Sequence, residues 1–224
     1  MSETLSKERL ARNLAAVKAR MAAACARACR AVEEVTLVAV TKSVDVESCR
    51  ALLGLGVTAM GENRVDAAGP KVAALGNAVI WHMIGNIQRR KAREVVGLFD
   101  VVDAVDRLEL AEALERRLES EPRRLPILLE VNVSGEESKH GFSPADLSGA
   151  LSAVAAFPHL DVQGLMTMAP FDADDAAIRR YFRQLKSLTV EYGLPECSMG
   201  MTNDFEIAIE EGATQVRVGS ALFA

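Results

Sequence analysis

The chain has 224 residues, half of them apolar and a quarter charged, with a formal net charge of -5. That is the composition of an ordinary soluble globular protein with a sizeable core, and the acidic balance gives no electrostatic reason for nucleic acid or an anionic membrane as a partner. Cys25, Cys29, Cys49 and Cys197 lack the spacing of a disulfide framework or a zinc site, so neither is expected, and no apolar run reaches membrane-spanning length.

Glu3 and Glu8 stand near the start without a continuous apolar stretch, so no secretory leader is expected and the cytoplasm is the default location. Leu10, Leu14, Val17 and Met21 then recur at helical steps and predict one buried helix face. Residues 35–41 read as a strand, and Val46, Cys49, Leu52 and Leu53 give a second helical face that ends at Gly54 and Gly56. Short apolar runs follow at 57–61, 79–84, 99–104, 127–133, 162–168, 197–201 and 215–218, making eight strands. Helical patterns lie between them, such as Leu108, Ala111, Leu114 and Leu118, or Ile178, Tyr181, Phe182, Leu185 and Leu188. Ser143 before Pro144 predicts a helix N-cap followed by proline in the first turn. The short basic runs Arg89-Arg90-Lys91 and Arg123-Arg124 read as solvated faces.

Strands alternating with helices predict parallel pairing, and eight such strands suffice for a closed α/β TIM-type (β/α)8 barrel, one domain over residues 1–224. An open doubly wound sheet is the alternative. The chain ends on "VGSALFA", which leaves no room for an eighth outer helix, so the N-terminal helix is expected to close the outer ring.

Strand parity then locates chemistry, because interior residues near the C-terminal rim form the site in this fold. Lys42 follows Val38 and Val40 on one face. Arg217 lies between Val216 and Val218, Glu130 and Asn132 share a face, and His82 sits within "VIWHMIG". A charge inside a barrel needs an acidic group or a bound anion, since an unpaired buried charge costs several kcal/mol. The last strand runs into Gly219-Ser220, and Ser198 and Gly200 share a face in the seventh; these are places where a phosphate is commonly held. Lysine forms Schiff bases with carbonyl compounds, and burial makes its neutral amine more available. A lysine facing an anion cradle across a barrel mouth therefore suits pyridoxal 5'-phosphate, aldehyde on Lys42 and phosphate on Ser198, Gly200, Gly219 and Ser220, with Arg217 toward the ring nitrogen.

The segments "VAVTKSV", "GENRVDAAGPK", "WHMIGNIQRRK", "VNVSGEESKHGF", "GLMTM" and "SMGMTNDFEIAIEEGATQVRVGSALF" together resemble the pyridoxal phosphate homeostasis protein family over nearly the whole chain. The resemblance implies a single barrel like that of alanine racemase, with the cofactor on Lys42, the ring-nitrogen arginine at Arg217 and the phosphate on Ser198, Gly200, Gly219 and Ser220. It also implies that Asn63 and His82 line the pocket. Ser43, Val44 and Asn86 depart from the family's more frequent "SKTKP" and "GHLQ".

A permanently cationic arginine opposes protonation of the pyridine ring and so argues against carbanion-heavy chemistry. Racemisation tolerates it but needs an acid–base group opposite the lysine, and both tyrosines, Tyr181 and Tyr192, fall on the long helix before the seventh strand. No further domain of the racemase kind is expected. The expectation is a protein of vitamin B6 homeostasis that holds pyridoxal phosphate and passes it to apo-enzymes, as a monomer or weak dimer, with Lys139 as a second acceptor during handover. A low-activity amino-acid racemase and a phosphate-binding barrel that never forms a Schiff base are the alternatives.

Overall fold

The computed structural model describes residues 6–136 and 139–224 and shows eight parallel strands closed into a barrel in chain order. They are β1 (Thr36–Val40), β2 (Ala59–Glu62), β3 (Ile80–Met83), β4 (Val101–Val105), β5 (Leu125–Glu130), β6 (Leu160–Met166), β7 (Glu196–Ser198) and β8 (Gln215–Val218). β8 pairs back onto β1 with Arg217 level with Val38, so the open-sheet alternative falls. Closure leaves no unpaired strand edge.

The helices are α1 (Lys7–Arg27), α2 (Val46–Gly54), α3 (Val65–Leu75), α4 (Ala92–Leu98), α5 (Leu108–Leu118), α6 (Leu147–Val154), α7 (Asp175–Glu191), α8 (Phe205–Glu210) and α9 (Ser220–Phe223). α1 packs against α2, α8 and α9 and fills the gap left by the short C-terminal turn, as the sequence suggested. Asn13 Nδ2 donates to the carbonyls of Leu222 and Ala224, and Arg20 and Arg27 pair with Glu206 and Glu210 on α8. None of the helices in the described residues is long and apolar enough to cross a membrane.

Alternation along the strands builds two different interiors. Ala39, Trp81, Met83, Leu129, Val216 and Val218 join the large apolar layer between barrel and helices, where Trp81, Phe99, Phe182 and Phe205 are fully buried. Each such aromatic contributes roughly 2–3 kcal/mol of hydrophobic stabilisation. Inside the barrel the apolar cluster is small, Ala104, Leu128 and Met166, and the remaining space is shared with buried polar groups. Burial pushes the thiols of Cys49 and Cys197 up to about 11, which makes both inert.

Three local expectations shift. β5 ends at Glu130 because the chain doubles back there: Phe142 N–H donates to the Glu130 carbonyl, and Asn132 N–H to the Phe142 carbonyl. Ser143 Oγ does accept the Asp146 N–H, at 3.2 Å, but it caps a turn, and α6 opens only at Leu147. Arg123 is not a solvated cation; its guanidinium donates to the carbonyls of Val96 and Phe99 and so caps the end of α4.

Candidate functional site

The C-terminal rim of the barrel opens into a cavity of about 420 Å³, within the usual range for small-molecule sites. Its wall is made by the ends of β1 and β8, the loop after β6 and the loop after β7. Lys42, Ser43, Arg217, Gly219 and Ser220 all line it, so the two ends of the barrel that sequence parity singled out do meet.

Register explains the layering. Arg217 stands level with Val38, while Gly219 lies over Val40, and Lys42 follows two residues above. A Cβ on Gly219 would sit 3.3 Å from Val40 Cβ, so glycine is what lets the end of β8 lie this close to β1. Ser220 then opens the short α9, whose first N–H groups have no intrahelical partner. Thr202 Oγ1 accepts the Ala221 N–H and ties the loop after β7 to this corner.

Arg217 forms the floor and is 3% exposed. Its guanidinium donates to Ser198 Oγ at 2.6 Å and to the Thr167 carbonyl at 2.8 Å, and its own N–H donates to the Gly200 carbonyl. Burial pulls its proton affinity below the ordinary guanidinium value, opposed by the charges of Asp103, Asp204 and Glu130. Two of these acids are shifted in turn: burial raises the pKa of Asp204, and burial together with the charge of Asp106 raises that of Glu130. One guanidinium thus compensates several acids, and the acids in turn make its burial tolerable.

Not every residue drawn from the sequence lines the cavity. Ser198 is fully buried beneath Arg217, where its hydroxyl orients the guanidinium. Gly200 adopts φ +90, and a Cβ there would lie 2.5 Å from Ala208 Cβ, so it allows the loop after β7 to close on α8. His82 is buried and shares a 2.9 Å hydrogen bond with Asp103 Oδ1; burial disfavours its charged form, but the charge and hydrogen bond of Asp103 outweigh this and raise its pKa. It does not line the cavity. Asn63 lines a separate cleft with Arg64, Asn86 and Gln88 at the ends of β2 and β3. Lys42 is solvent-exposed, so the burial invoked to activate its amine is absent. Lys139 stands in the loop after β5, outside the cavity lining, with its N–H donating to the Glu136 carbonyl.

Sequence reasoning missed Met201, Thr202 and Asn203 from the loop after β7 and Pro170 and Phe171 from the loop after β6. Parity works on strands and says nothing of loops; the only signal was that "SMGMTND" continues past the strand end. Neither tyrosine lines the cavity: Tyr181 packs on the outer apolar layer and Tyr192 caps α7.

The chain is similar to known proteins over its whole described length. The alanine racemase N-terminal domain family matches residues 7–224. The pyridoxal phosphate homeostasis protein of Pseudomonas aeruginosa is 40% identical over 220 residues, covering 96% of this chain and 94% of that one. Its counterpart in Aquifex aeolicus is 38% identical over 223 residues, 96% of each. Among solved structures, PipY of Synechococcus elongatus, described with PLP bound, superposes with a TM-score of 0.85 at 32% identity and covers 96% of this chain and all of that one.

Proposed function

The chain belongs to the family of pyridoxal phosphate homeostasis proteins, and we propose that it holds pyridoxal 5'-phosphate on Lys42 within the rim cavity and passes it on. The observation that carries this reading is the cavity itself, which has a primary amine at the end of β1, a glycine–serine helix start at the end of the adjoining β8 and a buried guanidinium in the floor. That donor set fits the ligand. Bound there, pyridoxal phosphate supplies an aldehyde that condenses with a primary amine.

The chain's own residues divide the work. Lys42 offers the amine at the rim. Gly219 and Ser220 present main-chain N–H groups and a hydroxyl to a dianionic phosphate, with Thr202 holding their corner in place. Arg217 keeps a permanent positive charge in the floor and is itself held by Ser198 and the Thr167 carbonyl, so it cannot donate a proton to a ring nitrogen. Asp103, hydrogen-bonded to His82, stabilises that guanidinium through space by its charge. With no tyrosine at the cavity, the arrangement favours binding and release over two-base racemisation. Exposure of Lys42 suits release as well, because an acceptor amine can reach the same carbon from solvent. Apo-enzymes that use the cofactor are the proposed recipients, with Lys139 as a second acceptor on the way.

Addition of pyridoxal phosphate to the purified full chain should produce absorption near the visible edge, and Lys42→Ala should abolish it. A colourless complex of equal affinity in both proteins would favour a phosphate-binding barrel without covalent capture.

A further inference from the structure

The turn that carries Lys42 is fixed from behind by a buried ion pair. Val44 N–H closes the turn on the Thr41 carbonyl at 3.1 Å, leaving Lys42 and Ser43 at its centre. On the helix side of the barrel wall, Lys71 Nζ donates to that same Thr41 carbonyl at 2.7 Å and to Glu62 Oε1 at 2.6 Å. Thr41 Oγ1 donates to Glu62 Oε1, also at 2.6 Å. The two charged side chains are 7% and 0% exposed, and Glu62 Oε2 is buried without a partner. The far end of the segment is anchored too, since Asp45 Oδ1 accepts from both the N–H and the hydroxyl of Ser48 at the start of α2.

Stability gives little reason for such a pair. Withdrawing two charges from water costs about as much as their attraction returns, and a partnerless carboxylate oxygen adds to the cost; apolar side chains of similar size commonly serve as well. What apolar side chains lack is direction. An ammonium and an amide N–H converging on one carbonyl fix the peptide plane between Thr41 and Lys42, and with it the direction in which the Lys42 side chain leaves the backbone.

We propose that Glu62 and Lys71 are positioning residues for Lys42, holding its turn so that the amine starts over the cavity. The inference rests on the reading of Lys42 as the residue that captures pyridoxal phosphate. In that step the Lys42 nitrogen bonds to the aldehyde carbon, the carbonyl oxygen leaves as water, and no oxidant or reductant is involved. An exposed, four-carbon side chain has many directions open to it, so restricting its base raises the fraction of encounters in bonding geometry.

The test compares the parent chain with the double variant Glu62→Met/Lys71→Met, which removes both charges together and strands neither. Glu62→Gln, nearly the same shape and still offering an acceptor oxygen to Lys71 Nζ and Thr41 Oγ1, is the second variant and the one that disturbs the turn less. In the ligand-free proteins, hydrogen exchange of the Val44 amide should speed up about tenfold in the double variant, and less in Glu62→Gln, while amides of β5 stay unchanged. With pyridoxal phosphate added, the rate of borohydride-trapped attachment at Lys42 should fall about tenfold in the double variant and by a smaller factor in Glu62→Gln. A merely structural pair would lower the unfolding midpoint and leave both the Val44 exchange and the attachment rate within twofold of the parent, and that result overturns the proposal. Slower attachment with an unchanged Val44 amide overturns it too, because the turn would then not be the route. If the parent itself shows no attachment at Lys42, the functional reading fails, and the exchange measurement alone decides whether the pair holds the turn.

Discussion

Two buried cations fasten strand ends from opposite sides of the barrel wall. Arg217 stands inside and donates to the carbonyl of Thr167, just past β6; Lys71 stands outside, between sheet and helix, and donates to the carbonyl of Thr41, just past β1. Each is nearly sealed from solvent. Their company differs. Lys71 has one carboxylate, Glu62, and the two make a local pair whose charges cancel. Arg217 has no carboxylate in hydrogen-bond contact and instead balances Asp103, Asp204 and Glu130 through space, while its side chain opens onto the cavity. A cation held by neutral oxygens keeps its field available to a ligand, whereas one neutralised by a direct partner serves only to hold backbone.

The contrast predicts unequal costs. Arg217→Met should be the most damaging change, about 3–5 kcal/mol in urea unfolding, because it leaves several buried acids without compensation. The paired replacement Glu62→Met/Lys71→Met should cost less than about 1.5 kcal/mol, since both charges leave together. Equal costs would erase the distinction between the two cations. Gly200→Ala falls between the two, about 2–3 kcal/mol, as the methyl would meet Ala208 and Phe205 at a positive φ and displace the carbonyl that takes the Arg217 N–H. A smaller effect, of opposite sign, is expected at Glu130. Its folded pKa is raised, so folding favours the neutral acid, and above that pKa the native state bears a buried charge that the unfolded chain solvates. Glu130→Gln should therefore stabilise by about 1 kcal/mol or less at neutral pH, with the gain vanishing as pH falls through the ordinary glutamate range. Thermal unfolding at a series of pH values measures it, and a gain that persists in acid would mean that packing rather than charge is responsible.

Alternation made the barrel and its inner face readable in advance. Val216 and Val218 do turn to the helices and leave Arg217 inside, and Val38 and Val40 lead up to Lys42 on the inner face. Gly219 and Ser220 were legible because a strand end followed by a glycine limits where the backbone can go. Asn63 was drawn in by family motif alone and His82 by strand parity as well, and the structure sets Asn63 in a neighbouring cleft and His82 behind Asp103. Thr202 and Asn203 escaped because loop side chains obey no period. Glu62 and Lys71 were present in "GENRVDAAGPK", an outward-facing acid at a strand end with a basic residue on the next helix, but only three-dimensional contact shows that both converge on Thr41. A lysine just past a strand end is ordinarily solvated, and Lys42 is; how far the loops after β6 and β7 cover it is what strand parity does not give.

The central claim is that one amine, on Lys42, captures the aldehyde. Incubating the full chain with pyridoxal phosphate, reducing with borohydride and mapping the peptides by mass tests it most directly. The account predicts a single addition on Lys42, absent from Lys42→Ala, whose unfolding free energy should stay within about 0.5 kcal/mol of the parent because the side chain is exposed. An unmodified Lys42, with the addition on Lys139 or spread over other surface lysines, would contradict it.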